Sequence, residues 1–303
     1  MDRMNRRGFL ECMAWAGTGV VWTASGGILS SQVLPAEAAD AATGNFSFVQ
    51  ISDSHVGFTG EANKDATATL QQAIAKINAL PAPPAFIVHT GDLSHGQKAG
   101  DFDTVAELLK GAKAERVFSI PGEHDVFLDG GKEYLGRFAN GGPGWQSFDY
   151  KGVHFVALVN VLKYKGEKLG AIGGEQIAWL KQDLAGLSSS TPVVVFAHVP
   201  LWSVYPAWGW VTEDSQQAMA LLTRFGSVTV LNGHIHQALQ KVEGNVTFHT
   251  ALSTAFPQPA PGAGPGPGPM KIPEEQALPM LGMREVRYVV GTTPLAVIDT
   301  KLG

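Results

Sequence analysis

Short apolar runs typical of buried strands recur from residue 46 onwards. Six of them are Phe46–Ile51, Phe86–His89, Val117–Ile120, Val153–Val159, Val193–Ala197 and Val228–Leu231. Between several of these runs, apolar positions follow helical spacing, in Ala66–Ile77, Val105–Leu109 and Ile177–Leu184. This alternation of strand and helix predicts an α/β fold with layered sheets inside and helices outside.

The pattern changes after about residue 237, where short strands follow one another without clear helices. The predicted strands are Gln237–Val242, Val246–Thr250, Arg284–Val290 and Leu295–Asp299. We expect them to complete a second sheet. Between them, ten of the thirteen residues at 257–269 are Pro or Gly, which excludes a helix or an inner strand. A plain surface loop and a loop that folds over a site both remain open for this segment.

Composition excludes several classes of protein and of metal site. The chain is 45% hydrophobic, which is enough for a core, and its formal net charge of −5 gives no broad basic surface for nucleic acid. Cys12 is the one cysteine, whereas there are nine histidines. A disulfide framework and a cysteine-rich zinc site are therefore excluded, and any metal must be held by histidine, carboxylate and amide ligands.

The N-terminus carries the pattern of an export signal. Arg6-Arg7 followed by Phe9-Leu10 resembles the twin-arginine export signal of bacteria, and an apolar, charge-free stretch follows from Cys12 to Pro35. Ala36-Glu37-Ala38 then offers a cleavage site. Glycine, serine and threonine make the stretch only weakly hydrophobic, which favours a cleaved signal over a retained membrane anchor.

These features predict the organisation of the chain. We expect residues 1–38 to be the signal peptide and residues 39–303 to form one domain that contains no cysteine. The resemblance implies transport by the twin-arginine export machinery to the periplasm or the medium, with the protein already folded and any metal already bound. No stable membrane anchor is expected.

Acidic residues and histidines follow five of the apolar runs. They lie in Asp53-Ser54-His55, Gly91-Asp92, Gly122-Glu123-His124-Asp125, His198 and Gly233-His234-Ile235-His236. The carboxyl ends of parallel strands meet at one edge of a sheet, so these side chains should converge there. In an extended segment, residues two apart face the same side and can chelate one ion. Imidazole and carboxylate ligands suit Fe, Mn and Zn.

The five motifs, in this order, resemble the calcineurin-like metallophosphoesterases, which include purple acid phosphatases and class III cyclic-nucleotide phosphodiesterases. The resemblance implies a four-layer α/β/β/α sandwich. It also implies one metal held by Asp53, His55, Asp92 and His236, and a second held by Asp92, Glu123, His198 and His234. Asp92 would bridge the two ions, and His124 would face the substrate, where it stabilises phosphoryl oxygens or protonates the leaving group.

The resemblance further implies the chemistry. The two ions would be Fe, Mn or Zn, with an iron-containing pair favoured. They would share a hydroxide that attacks phosphorus in a small phosphorylated substrate, either a monoester or a diester. The alternative is a metal-binding protein on the same fold with weak or no catalysis. The H-x-H-x-D-H run of metallo-β-lactamase-type hydrolases and the Gly-x-Ser-x-Gly elbow of serine hydrolases are absent from the sequence.

Two positions depart from the family pattern. Glu123 stands where the family usually has Asn, which adds a negative charge and a methylene group to the second metal site. This charge favours a hard cation and weakens the attraction for an anionic phosphate. The alternative interpretation is that Glu123 points away from the metal and is not a ligand. His95 occupies the offset at which purple acid phosphatases carry a metal-binding Tyr, so His95 is a further candidate ligand of the first metal. An exposed loop histidine is its alternative interpretation.

Other residues near the motifs have weaker interpretations. Residues 199–210 hold three of the seven tryptophans, and this segment can stack on an aromatic group of a substrate or pack on the domain. His89 is expected to pack behind the site, and His154 and His249 are expected to be structural.

Overall fold

The computed structural model describes residues 20–25, 28–33, 44–162 and 170–303. The first two segments are strands β1 (Val20–Ser25) and β2 (Ile28–Val33), which pair antiparallel in a two-stranded sheet. The twin arginines and the proposed cleavage site lie outside the described residues, so the export signal stays a prediction. Among the described residues, none of the helices has the length and apolar character needed to cross a bilayer.

The remaining strands form two mixed sheets. The five-stranded sheet has the order β13-β12-β3-β4-β5, with β3 (Phe46–Ile51), β4 (Phe86–His89), β5 (Arg116–Ser119), β12 (Gly282–Tyr288) and β13 (Ala296–Lys301). The six-stranded sheet has the order β10-β11-β9-β8-β7-β6, with β6 (Gln146–Tyr150), β7 (Val153–Ala157), β8 (Val193–Ala197), β9 (Val228–Asn232), β10 (Gln240–Glu243) and β11 (Val246–Thr250). In the five-stranded sheet β3, β4 and β5 are parallel, and the two strands on the other side pair antiparallel. In the six-stranded sheet the four inner strands are parallel, and the pair at each edge is antiparallel.

Within the described part of the chain, six α-helices connect the strands. They are α1 (Ala66–Asn78), α2 (Ala99–Lys110), α3 (Lys132–Phe138), α4 (Gly174–Leu184), α5 (Ser215–Leu222) and α6 (Glu274–Ala277). The first of them begins at Asp65, whose carboxylate accepts a hydrogen bond from the amide of Ala68 and satisfies a backbone donor that the helix leaves unpaired.

Alternation of side chains along the strands builds four layers. Phe48 of β3 faces Phe155 and Phe196 of the other sheet and belongs to the core between the sheets, whereas Val49 and Ile51 pack against α1 and α2. The outer face of the six-stranded sheet packs against α4 and α5. The predicted α/β/β/α sandwich is therefore confirmed, and it aligns the carboxyl ends of parallel strands from both sheets.

The C-terminal strands differ from the expectation of one second sheet. They divide between the sheets: β10 and β11 extend the sheet beside β9, while β12 and β13 extend the other beside β3. Hydrophobic periodicity could not show this division, because a strand's pattern reports which faces are buried and not which neighbour it pairs with.

Candidate metal centre

The loops that follow five parallel strands bring the predicted ligands together. Asp53 and His55 follow β3, Asp92 follows β4, Glu123 follows β5, His198 follows β8, and His234 and His236 follow β9. Three of these strands belong to one sheet and two to the other. The site therefore spans the two sheets at their shared carboxyl edge.

The first cluster is the set predicted for the first metal. One ligand atom from each of Asp53, His55, Asp92 and His236 lies within 4.8 Å of all the others, and all four side chains are buried. His55 Nε2 is 3.3 Å from His236 Nε2, and His236 Nε2 is 3.3 Å from Asp53 Oδ1. A cation between these atoms would relieve the crowding of imidazole nitrogens and carboxylate oxygens.

The second cluster contains Glu123, His198 and His234, whose ligand atoms also lie within 4.8 Å of one another. Glu123 Oε2 lies 2.8 Å from His198 Nε2, and Glu123 Oε1 lies 2.9 Å from His234 Nδ1. The carboxylate of Glu123 thus points into the cluster, where the resemblance places a ligand, and does not point away from it.

Asp92 lies between the two clusters. Its Oδ2 atom is 3.4 Å from His55 Nε2 of the first cluster and 3.6 Å from His198 Nε2 of the second. Its other oxygen, Oδ1, accepts a hydrogen bond from the backbone amide of His124. One carboxylate oxygen within reach of both clusters is the arrangement that a bridging ligand requires.

The donor set fits metal ions on a further count. Glu123 Oε2, His198 Nε2 and His234 Nδ1 are buried polar atoms to which no hydrogen bond is assigned, and their closest polar contacts are the ion-pair distances of 2.8 and 2.9 Å between them. Buried polar atoms without partners are costly and rare in proteins. A bound cation would satisfy all three atoms at once.

Backbone strain is concentrated at the same residues. Five candidate ligands have positive φ angles, between 39° and 70°, which residues other than glycine seldom adopt: Asp53, His55, Asp92, His234 and His236. Strain of this kind persists where the surrounding structure enforces it, and it is common at functional sites. The loops therefore hold these five side chains in fixed directions.

Glycine is required beside two of the ligands. A Cβ atom on Gly122 would lie 2.1 Å from Asp92 Oδ1, and a Cβ atom on Gly91 would lie 2.3 Å from His198 Nδ1. Gly91 also has a φ of 104°. These contacts give a steric reason for the glycines that precede the acidic motifs in the sequence.

Hydrogen bonds to the backbone fix the orientation of two imidazoles. His198 Nδ1 lies 2.7 Å from the carbonyl oxygen of Thr90, and His236 Nδ1 lies 2.6 Å from that of Phe256. Each Nδ1–H therefore donates to a carbonyl and leaves Nε2 as a lone-pair donor towards the clusters, which is the usual support of a metal-bound histidine.

The surrounding charges favour a cation here. Burial lowers the pKa of His198, but Asp92 and Glu123 outweigh it, and the net pKa lies well above the usual value. Burial raises the pKa of Glu123, but His234 and His198 hold it well below the usual range. Burial likewise raises the pKa of Asp53, but His236 and His198 bring it down to about 2. Asp53 and Glu123 are thus ionised and attract positive charge.

His95 lies beside the first cluster and outside its four-residue set. Its Nδ1 atom is 3.2 Å from Nδ1 of His55, on the imidazole edge away from the Nε2 that faces the cluster. A ligand atom of His95 also lies within 4.8 Å of His55 and His124. The contact favours a hydrogen bond that orients His55, and direct metal ligation by His95 stays a prediction. The ring of His95 is half-buried and not freely exposed.

His124 stands over the clusters and lines the adjoining cavity. Its Nδ1 donates to the carbonyl oxygen of His95 at 2.8 Å, and its ring stacks on the ring of His95 with centroids 5.0 Å apart. Burial lowers the pKa of His124, but Asp92, Glu123 and the carbonyl of His95 outweigh it and raise the pKa above the usual value. The geometry leaves Nε2 for a ligand in the cavity.

Asp125 organises the site although sequence reasoning assigned it no role. Its carboxylate accepts hydrogen bonds from the backbone amides of Leu93, Ser94 and Gly122, at 2.9–3.0 Å. These bonds tie the loop that carries Asp92 to the loop that carries Glu123. The signal was present as the acidic residue that closes the motif at 122–125, but only the fold shows what it binds.

The cavity over the clusters has a volume of about 330 Å³. Besides the candidate ligands and the histidines at 95 and 124, it is lined by Phe127, Trp208, Trp210, Phe256, Gln258 and residues 267–269. Trp208 and Trp210 reach the cavity, whereas Trp202 packs on Phe248 beside the core, so packing on the domain is confirmed for Trp202 and stacking on a substrate stays a prediction. The Pro/Gly segment folds over the site.

The other histidines occupy the places expected of them. His89 is buried below the site, with Nε2 2.8 Å from Ser54 Oγ. His154 lies between Asp149 and Asp183, at 2.8 and 2.9 Å. His249 is buried on β11, where burial and Arg284 lower its pKa to about 4.

The sandwich fold and this ligand set define a metal-dependent phosphoric ester hydrolase. A family model described as calcineurin-like phosphoesterase matches residues 46–238, more than half of the chain. The chain therefore belongs to the calcineurin-like phosphoesterase family.

Similar proteins fit this assignment. The chain is 24% identical over 216 residues, 69% of this chain and 71% of the relative, to a protein of Rhodococcus erythropolis named "Probable cyclic nucleotide phosphodiesterase". It is 27% identical over 219 residues, 64% of this chain and 70% of the relative, to a serine/threonine-protein phosphatase of Bos taurus.

Solved structures show the same fold at low sequence identity. A dimetal phosphatase from Danio rerio aligns with a TM-score of 0.59 and 15% identity over 84% of this chain and 98% of that one. A purple acid phosphatase from yellow lupin aligns with a TM-score of 0.61 and 14% identity over 85% of this chain and 52% of that one. At these identities the likeness establishes the fold alone.

Proposed function

We propose that this protein is an exported dinuclear phosphoesterase that prefers phosphodiesters of small organic alcohols. The observation that carries the proposal is the pair of ligand clusters joined by Asp92, with three buried polar atoms that a bound cation would satisfy. When bound, two ions of the Fe, Mn or Zn type lower the pKa of coordinated water and neutralise phosphoryl charge. We favour an iron-containing pair.

The charge of the site supports a diester over a monoester. Asp53, Asp92 and Glu123 contribute three negative charges, so a pair of divalent ions, with any iron as Fe(II), would leave a net charge of about +1. Among the described residues, the lining of the cavity contains no lysine or arginine. A diester carries one negative charge, whereas a phosphate monoester carries about −1.5 to −2 at neutral pH. The diester therefore matches the charge that the site offers.

His124 is the proposed proton donor. Its Nδ1 is engaged by the carbonyl of His95, so Nε2 is the atom available to donate a proton to the leaving alcohol oxygen. Asp92 holds the amide of His124 through Oδ1 and reaches both clusters through Oδ2. The carboxylate of Asp92 thus positions the proposed acid, His124, and contacts both ligand clusters.

The function is tested on the purified protein that comprises residues 39–303. We expect about two bound ions per chain by elemental analysis for Fe, Mn and Zn. We also expect kcat/KM for bis(4-nitrophenyl) phosphate to exceed that for 4-nitrophenyl phosphate by roughly tenfold, which corresponds to ~1.4 kcal/mol. Metal stripping by a chelator should abolish both rates. Bound metal without turnover of either ester would contradict the enzymatic proposal for these substrate classes.

A second candidate function rests on Glu123. Its carboxylate lies within 2.9 Å of both histidines of the second cluster, where a neutral amide is usual in the family. An extra anion holds a cation more firmly and repels an anionic substrate. The resulting protein would bind metal and hydrolyse esters weakly or not at all.

Export is proposed from the N-terminal sequence and has its own test. With Arg6→Lys and Arg7→Lys together, a chain expressed in a bacterium with the twin-arginine route should stay in the cytoplasm at its full length. The unaltered chain should appear in the periplasm or the medium, shortened near residue 38. Equal fractionation of the two chains would argue against the signal.

A further inference from the structure

The segment 257–269, which we call the Pro/Gly loop, is closed at its base. The amide of Met270 donates to the carbonyl of Pro257 at 3.0 Å, and the amide of Gly268 donates to Oε1 of Gln258 at 2.9 Å. A compact loop with its ends close together is an Ω-loop, and such loops are often functional. Residues 267–269 of the Pro/Gly loop line the cavity over the metal clusters.

Gln258 joins the Pro/Gly loop to the second cluster. It is buried, and its Nε2 donates to the carbonyl of His234 at 2.9 Å while its Oε1 accepts from Gly268. The carbonyl of Gln258 also accepts from Nε2 of Gln237 at 2.9 Å. One amide side chain thus sets the position of the loop relative to a candidate metal ligand.

The Pro/Gly loop also approaches the tryptophan segment. A Cβ atom on Gly262 would lie 3.2 Å from Oη of Tyr205, so the two segments approach closely at this point. The ring of Tyr205 packs edge-on against Trp208, with centroids 5.2 Å apart, and Trp208 packs edge-on against Trp210 at 5.0 Å. The two segments support each other beside the cavity.

We propose that the Pro/Gly loop and Trp208 form an apolar subsite that binds one aromatic ester group of a phosphodiester, and that Gln258 is the residue that positions the loop. The subsite deepens the proposed diesterase function and rests on it. No assigned motif contains Gln258 or the residues at 267–269, and the family's metal-binding motifs end before them at His236.

The chemistry of the lining favours an aromatic group. Proline rings at 267 and 269, the indole of Trp208 and the phenyl ring of Phe127 offer apolar faces next to the metal clusters. Phe127 is 48% exposed and packs edge-on against His124, so an apolar surface continues from the site to the rim. Burial of an aromatic ring against such faces contributes more favourable binding free energy than burial of a methyl group, because more apolar area is removed from water. Proline stiffens the wall in advance of binding.

Two diesters with the same leaving group and the same charge test the subsite. They are phenyl 4-nitrophenyl phosphate and methyl 4-nitrophenyl phosphate, and we call the ratio of their kcat/KM values the phenyl preference. Trp208→Ala should lower the phenyl preference by roughly 3- to 10-fold, mainly through KM for the phenyl ester. Trp179→Ala is the matched control, since Trp179 is also partly buried but lies on α4 away from the cavity. An unchanged preference in Trp208→Ala would overturn the subsite.

Gln258→Leu tests the positioning role at similar side-chain size. We expect a lower phenyl preference with nearly unchanged metal content, because a leucine side chain cannot accept the hydrogen bond from the amide of Gly268. Gln258→Glu retains an acceptor for that amide but has no donor for the carbonyl of His234, so it should keep only part of the preference. An unchanged phenyl preference in Gln258→Leu, at full or at reduced metal content, would overturn the positioning role.

A binding measurement separates this inference from the proposed function. Diphenyl phosphate and dimethyl phosphate have poor leaving groups, so calorimetry on the metal-loaded protein reports affinity without turnover. We expect diphenyl phosphate to bind several-fold more tightly, and Trp208→Ala to remove the difference. Equal affinities in the unaltered protein would overturn the subsite. Tighter binding without turnover of any activated diester would support the subsite and overturn the diesterase function.

Discussion

Gly122→Ala is expected to remove bound metal and to lower phosphoesterase activity by at least about a thousandfold. The added Cβ would lie 2.1 Å from Asp92 Oδ1 and 2.3 Å from the amide nitrogen of Asp92. Real Cβ atoms do not approach other atoms so closely, and the loop that carries Asp92 must shift. Asp92 reaches both ligand clusters, so its displacement affects both ions. Elemental analysis and turnover of bis(4-nitrophenyl) phosphate measure the effect.

Gly136→Ala is the matched control for this variant. Gly136 lies in helix α3, and a Cβ there meets no atom within 4 Å. Alanine in a helix is favoured over glycine by ~1 kcal/mol, so this variant should keep its metal and unfold at a slightly higher temperature. Circular dichroism on both variants checks that the fold persists. Normal metal content and activity in Gly122→Ala would refute the steric argument.

Glu123→Asn is expected to increase the turnover of phosphate monoesters relative to diesters by roughly tenfold or more. The substitution removes one negative charge from a buried position between His198 and His234. Charges a few ångströms apart in a partly desolvated site interact by several kcal/mol, so a dianionic substrate gains more from this loss than a monoanionic one. The ratio of kcat/KM values for the two ester classes measures the shift.

Glu123→Gln separates charge from length. It is neutral like Asn but keeps the extra methylene group, so a similar shift in both variants assigns the effect to charge. A shift only in Glu123→Asn assigns it to the position of the oxygen atom. No change in metal content or in either rate in both variants would count against ligation by Glu123 and against the charge argument.

The positions of the candidate ligands were predictable because their signal is local. An acidic residue or a histidine directly after an apolar run is visible without a structure, and parallel strands share one carboxyl edge. Thus Asp53, Asp92 and His198 could be grouped before any contact was known. The same logic identified the strands β3, β4 and β8 with their observed bounds.

The direction of individual side chains was not predictable. Sequence offset makes His95 a candidate metal ligand, and only the structure shows that its Nδ1 faces Nδ1 of His55, because this depends on the path of the loop between them. The role of Gln258 depends on a backbone carbonyl 24 residues away in the chain. Contacts of this kind carry no periodicity and no fixed spacing.

The sequence by itself determined the layered α/β class, the five strand ends that supply the ligands, and the excess of negative charge that Glu123 brings. These properties follow from hydrophobic periodicity and residue chemistry, which act locally. Only the tertiary structure decided that Asp92 reaches both clusters, that the C-terminal strands divide between the sheets, and that the Pro/Gly loop lines the cavity. These depend on how distant segments pack, because burial fixes which faces are hidden but not which partner hides them.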